Sequence, residues 1–161
     1  MSTIKNQKYL YIILLISVFS LIAAYFVEYV LGHQPCNLCL IERIPYISVI
    51  IIITICLFFK KFEKLSLITI GMIFFLAALI SFYHFGIEQE FIKESLVCNL
   101  GNENNLLTKE EILKQLKQRS ISCKDVTFKI FNLSLATINM FVSLILSFIS
   151  IKIFLNYEKN R

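Results

Sequence analysis

Four stretches of this chain carry no formal charge: Tyr9–Val27, Ile44–Phe59, Leu65–Ile87 and Ile130–Ile151, of 19, 16, 23 and 22 residues. A helix rises about 1.5 Å per residue, so a hydrocarbon core of about 30 Å takes around 20 apolar residues. Three of the stretches meet that length. The second is short, so its helix is expected to begin near Leu38–Leu40, leaving Glu42 and Arg43 at interfacial depth. Composition agrees with this reading. Of 161 residues, 57% are hydrophobic and 17% charged, against roughly 45–50% and about 25% in a soluble domain. A domain this small has no core large enough to hide the excess. Disorder, a collagenous fibre and a disulfide-dense secreted scaffold are excluded, since five cysteines are too dilute for the last. The expected fold is all-α, an integral membrane four-helix bundle in one membrane domain. Its helices are expected at about 9–31, 38–59, 65–87 and 132–154, with outer loops at about 32–37 and 88–131.

Lys5 and Lys8 precede the first run, as in a signal peptide. The run exceeds the roughly 7–15 apolar residues of a signal, and Ala23-Ala24 leads straight into Tyr25-Phe26, so a retained helix is expected. Four spans put both termini on one side, together with the 60–64 connection. That side concentrates Lys5, Lys8, Lys60, Lys61, Lys64, Lys152, Lys159 and Arg161 in short segments. The density of positive charge assigns it to the cytoplasm, in a cell inner membrane crossed several times. No basic patch interleaved with aromatics is present, so nucleic acid is not an expected partner. In the long outer loop, Thr108-Lys-Glu-Glu111 forms a capping box flanked by Leu107 and Ile112. A short amphipathic helix is expected there, either on the membrane surface or packed on the loop.

The cysteines divide by location. Cys36 and Cys39 fall in the first outer loop, Cys98 and Cys123 in the second, and Cys56 deep in the second span. Cys56 reads as a small apolar core residue. An oxidising exterior favours disulfides in the other two pairs. A plain staple suits Cys98–Cys123, whose loop is long enough for a bridge to contribute about 3 kcal/mol. It suits Cys36–Cys39 badly, because a four-residue loop held by two helices gains almost nothing. Cys-x-x-Cys is the spacing of reversible dithiol chemistry, in which the second sulfur resolves a mixed disulfide made by the first. Zinc prefers two close-spaced pairs, and Cys98 and Cys123 are far apart, so no metal is expected.

Two ionisable residues stand near these sulfurs. Arg43, four residues after Cys39 on the same helix face, suits either a thiolate and an anionic acceptor oxygen or snorkelling to headgroups. His84, near the outer end of the third span, marks a site or bonds locally to Glu88 at i+4. Asn139 reads as an interhelical hydrogen-bond partner.

The string Pro35-Cys-Asn-Leu-Cys-Leu-Ile-Glu-Arg43, four spans and a second outer cysteine pair together resemble the disulfide bond formation protein B (DsbB) family. Tyr83-His-Phe-Gly-Ile-Glu88 and Asn132-Leu-Ser-Leu-Ala-Thr-Ile-Asn139 extend the resemblance over most of the chain. It implies a quinone-linked thiol oxidase that reoxidises a soluble periplasmic thioredoxin-fold partner of the DsbA kind, with ubiquinone or menaquinone as cofactor. Carried over, Cys98 forms the mixed disulfide with the partner and Cys123 is its pair. Cys36 exchanges with the loop cysteines, Cys39 faces the quinone, and Arg43 matches the quinone-associated arginine. His84 lies near where a quinone-proximal residue is expected. A protein resembling vitamin K epoxide reductase would carry its Cys-x-x-Cys near the last helix, which here has no cysteine. A membrane reductant carrying electrons outward would need cysteines within opposing helices, and only Cys56 is intramembrane. A non-enzymatic scaffold or transporter subunit with stapled outer loops is the remaining alternative.

Overall fold

A computed structural model describes residues 2–59, 63–93, 98, 123–124, 129–130 and 133–159. Its helices are α1 (Ser2–Tyr29), α2 (Asn37–Ile41), α3 (Arg43–Phe59), α4 (Glu63–Glu88) and α5 (Leu135–Lys159). Lys129–Ile130 (β1) and Leu133–Ser134 (β2) form one short antiparallel pair. Four helical segments are long and apolar enough to cross a membrane: Lys8–Tyr29, Asn37–Phe59, Lys64–Glu88 and Leu135–Asn156. The all-α four-helix expectation therefore holds. The capping-box segment at 108–119 lies outside the described residues.

The element ends follow from local chemistry. α1 stops at Tyr29, short of residue 31, because the chain turns at Gly32, whose φ of 74° suits a residue without Cβ. The N–H groups of Val30 and Leu31 return to the carbonyl of Phe26, and that of His33 to Val27. The second span is one helix broken at Glu42. Pro45 explains the break, since it lacks the N–H that would bond to the Ile41 carbonyl four residues earlier. Glu42 keeps helical dihedrals, so the helix bends there and runs on. The last helix starts at Leu135, three residues later than expected. Leu133 and Ser134 pair with β1, and the Ser134 hydroxyl caps α5 by accepting from the Thr137 N–H at 3.2 Å.

Lipid offers little hydrophobic drive for helices to meet, so association rests on close packing and interhelical hydrogen bonds. The most extensively packed pair is α4 with α5, and Ser66, Ala77, Ala78 and Ser81 of α4 and Ala136, Ser143, Ser147 and Ser150 of α5 are all buried. The Ser147 hydroxyl donates to the Gly71 carbonyl across this seam at 3.0 Å. α3 packs on both α1 and α4, and α1 closes the ring against α5. A buried apolar cluster runs through the bundle, with Leu10, Ile13, Val49, Ile53, Phe74 and Leu146 among its members. Phe19, Phe58, Phe82 and Phe148 stand exposed on the outside, where lipid would cover them.

Candidate functional site

A second buried cluster lies at one end of the bundle and contains Cys36, Leu38, Ile87, Cys98 and Cys123. Pro35 leads into α2, and Cys36 occupies its N-cap with extended backbone. That conformation turns the Cys36 sulfur back over the first turn, where it accepts the Cys39 N–H at 3.2 Å. The sulfurs of Cys36 and Cys39 are 2.7 Å apart, and both are free. Side-chain movement alone can join or part them. Cys98 and Cys123 form a disulfide whose Cα atoms are 5.8 Å apart. The fold therefore gathers Cys36, Cys98 and Cys123 into one buried group, with partly buried Cys39 packed against it.

After α4 the chain folds back through Glu90, at a left-handed φ of 61°, and the Ile92 N–H bonds the Gly86 carbonyl at 3.1 Å. Ile92 then lies on the helix at Gly86, where a Cβ would stand 2.6 Å from its Cδ1. A side chain at position 86 would have to displace that of Ile92, so glycine keeps this packing close, next to Ile87 and the cysteine cluster. Cys56 belongs to the other cluster, among Val49 and Ile53 on α3.

Polar groups behind Cys36 connect three helices. His84 Nε2 is 3.6 Å from the Cys36 sulfur, and its Nδ1 is 2.9 Å from Glu42 Oε1. Glu42 Oε2 accepts from Asn139 Nδ2 at 2.8 Å, and the same amide donates to Ser81 Oγ at 2.8 Å. The Tyr46 hydroxyl donates to Asn139 Oδ1 and lies 3.3 Å from Ser143 Oγ. Its ring packs edge-on to Phe74. Glu42 is 8% exposed and His84 2%, so these partners replace water. Glu88 Oε1 lies 3.8 Å from His84 Nε2, and Glu88 Oε2 is buried with no hydrogen-bond partner among the described residues. The Cys39 thiol, donating to the Cys36 sulfur, outweighs burial, and His84 reinforces it. Cys36 is thereby held down at about 5, well below the ordinary thiol value of about 8.5. A sulfur so held is a thiolate near neutrality, the form that attacks and leaves in disulfide exchange.

Arg43 has other partners. Its Nη1 is 2.6 Å from Glu28 Oε2, and its guanidinium lies 4.8 Å from the centre of the Tyr25 ring. The group against the Cys36 sulfur is His84, while Arg43 ties the start of α3 to the end of α1. Among the described residues, Cys36, Cys39 and His84 also offer three metal-type donor atoms within 4.8 Å of one another. Their arrangement is that of a dithiol with an imidazole at one sulfur. Sequence reasoning reached the four cysteines, Arg43 and His84. It placed Glu42 at interfacial depth with no role and did not bring in Glu28 or Tyr46. Their one available signal was polarity beside apolar runs.

The family model described as "Disulfide bond formation protein DsbB" matches residues 6–153. An uncharacterized protein of Rickettsia prowazekii (strain Madrid E) is 28% identical over 148 residues, covering 89% of this chain and 86% of the relative. No solved structure matches the chain. With four membrane-crossing segments and the match spanning nearly its whole length, this multi-pass membrane protein belongs to the DsbB family of disulfide oxidoreductases.

Proposed function

We propose that this protein reoxidises a periplasmic thioredoxin-fold partner of the DsbA kind and delivers the electrons to membrane quinone. The carrying observation is the burial of Cys36 in one cluster with the Cys98–Cys123 disulfide. A partner thiolate attacks Cys98, and Cys123 leaves as thiolate. The partner's second thiolate then releases Cys98, taking the disulfide and leaving two electrons on the loop pair. In the next exchange Cys123 attacks Cys36 of an oxidised Cys36–Cys39 pair, and Cys39 leaves as thiolate. Cys98 closes on Cys123, so the loop disulfide is restored and the electrons rest on Cys36 and Cys39. Partners of this kind sit near about −120 mV, so a plain structural disulfide is too reducing to recharge them. The positive-charge bias supports cytoplasmic termini and periplasmic cysteines in an inner membrane.

The residues present fit a quinone. Cys39 is half-buried at the start of a span, beside the exposed apolar side chains of Leu40 and Ile44. Arg43, steadied by Glu28 and Tyr25, would supply a donor for a quinone carbonyl oxygen, and His84 stands behind the dithiol. These residues would hold ubiquinone or menaquinone, which when bound supplies a two-electron, two-proton oxidant. The purified chain with reduced thioredoxin-fold partner and a soluble ubiquinone, under anaerobic conditions, should oxidise the partner catalytically. Cys39→Ser and Cys98→Ser should each abolish turnover. Full turnover in either variant would overturn the reading, and retention of both pairs as inert staples would favour a scaffold.

A further inference from the structure

Asn139 sits at the centre of the buried polar set behind the dithiol, and neither it nor Tyr46 has a part in the exchange steps. The Tyr46 O–H donates to Asn139 Oδ1, which leaves both Nδ2 hydrogens for Glu42 Oε2 and Ser81 Oγ. The hydrogen bonds therefore run one way: Tyr46 on α3 donates to Asn139 on α5, and Asn139 donates to Glu42. Chains of this kind strengthen their terminal bond. At the other carboxylate oxygen, His84 Nδ1 lies 2.9 Å away and donates. With Nδ1 carrying the hydrogen, the neutral ring presents a bare Nε2 to Cys36 Sγ at 3.6 Å.

A carboxylate as buried as Glu42 needs donors in place of its lost hydration. Without Asn139 it loses the donor at Oε2 and is free to turn, and the constraint on the imidazole goes with it. We propose that Asn139 and Tyr46 are positioning residues for the redox dithiol, setting Glu42 so that His84 Nε2 takes the proton of Cys36. In that transfer the Cys36 S–H bond breaks and an N–H bond forms at Nε2. The electron pair stays on sulfur, and the imidazolium is held against the Glu42 carboxylate. The inference rests on Cys36–Cys39 being the redox pair. A merely structural interhelical bond would affect stability and leave the reactivity of Cys36 alone.

The test uses a full-length chain carrying Cys39→Ser and Cys56→Ser, with Cys98–Cys123 intact, so that Cys36 is the one free thiol. Its alkylation by iodoacetamide is followed by mass spectrometry from pH 4 to 10. The groups facing Cys36 are the hydroxyl placed at position 39, His84, Tyr83 and Glu88 from α4, and Glu42 behind His84. Asn139→Leu and Tyr46→Phe should each move the profile to higher pH, slowing alkylation at pH 6 at least fivefold with equal rates at pH 10. Neither should add to the shift made by Glu42→Gln. Profiles unchanged in Tyr46→Phe, which removes one hydroxyl and keeps the ring packing, overturn the proposal even if Asn139→Leu does not fold. An additive shift in the Glu42→Gln background overturns it too. Quinone-driven oxidation of the partner by the unsubstituted chain is measured alongside. Shifted profiles without that turnover remove the quinone oxidase reading and keep the positioning. Turnover with unshifted profiles removes the positioning alone.

Discussion

At the residue scale, the chemistry turns on which groups stand next to Cys36. Cys36 and Cys39 were legible as a candidate dithiol from type and spacing alone, whereas a redox role for Cys98 and Cys123 came from the family resemblance. Glu42 was not legible, because its partners His84 and Asn139 lie 42 and 97 residues away and no local pattern joins them. The depressed titration of Cys36 has a consequence for stability. Its folded value of about 5 lies below the unfolded thiol value of about 8.5, so the unfolded chain binds more protons between these limits. Stability of the dithiol form therefore rises with pH across that window, by a few kcal/mol at most, and is lost as pH falls through about 5. Thermal melts in detergent should show the rise for the reduced Cys36–Cys39 pair and not for the oxidised pair, in a chain with Cys98 and Cys123 replaced by serine. Arg43 yields a separate prediction. Glu28→Gln frees the guanidinium from its 2.6 Å ion pair, so KM for quinone should rise severalfold while KM for the partner stays constant. Steady-state kinetics with each substrate varied in turn checks this, and a change in the partner's KM alone would remove the pair from the quinone side.

At the scale of elements, the four spans were readable from the gaps between charges, since charge avoids hydrocarbon whatever the packing. Their ends were set by single residues whose effect depends on context. Gly32 stops α1, Pro45 bends the second span at Glu42, and the short β-pair delays α5 until Ser134 caps it. The bend matters because Glu42 is the residue at the break and faces His84 on α4. The return of the chain over Gly86 was not readable at all, because it depends on Ile92 reaching back onto the helix. Gly86→Val should push that segment away from Ile87 and weaken the contact between the cysteine pairs. Oxidation of the thioredoxin-fold partner should slow at least tenfold. Quinone-dependent oxidation of dithiothreitol, a small thiol able to reach half-buried Cys39 without the loop pair, should fall much less. Stopped-flow assays with the two donors distinguish these outcomes, and equal losses would contradict the role given to Gly86.

At the scale of the whole molecule, the bundle is a holder whose two ends of chemistry differ in solvent. One pair stands at the start of a segment apolar enough to cross a membrane, as the proposed lipid-dissolved oxidant requires. The other belongs to a long connection between α4 and α5, suited to a soluble protein. The bundle brings Cys36, Cys98 and Cys123 together in one buried cluster with Cys39 packed against it, and the polar set from α3, α4 and α5 stands behind it. The excess of apolar residues that first marked the chain as a membrane protein is spent on the outward faces of these helices. The central claim is that the two pairs exchange electrons directly. A chain carrying Cys39→Ser and Cys98→Ser leaves Cys36 and Cys123 unable to pass electrons on. Purified without reductant and digested under acid, it should yield a Cys36–Cys123 disulfide by mass spectrometry in most of the protein. Recovery of both as free thiols, under conditions where the unsubstituted chain forms Cys98–Cys123, would contradict the account.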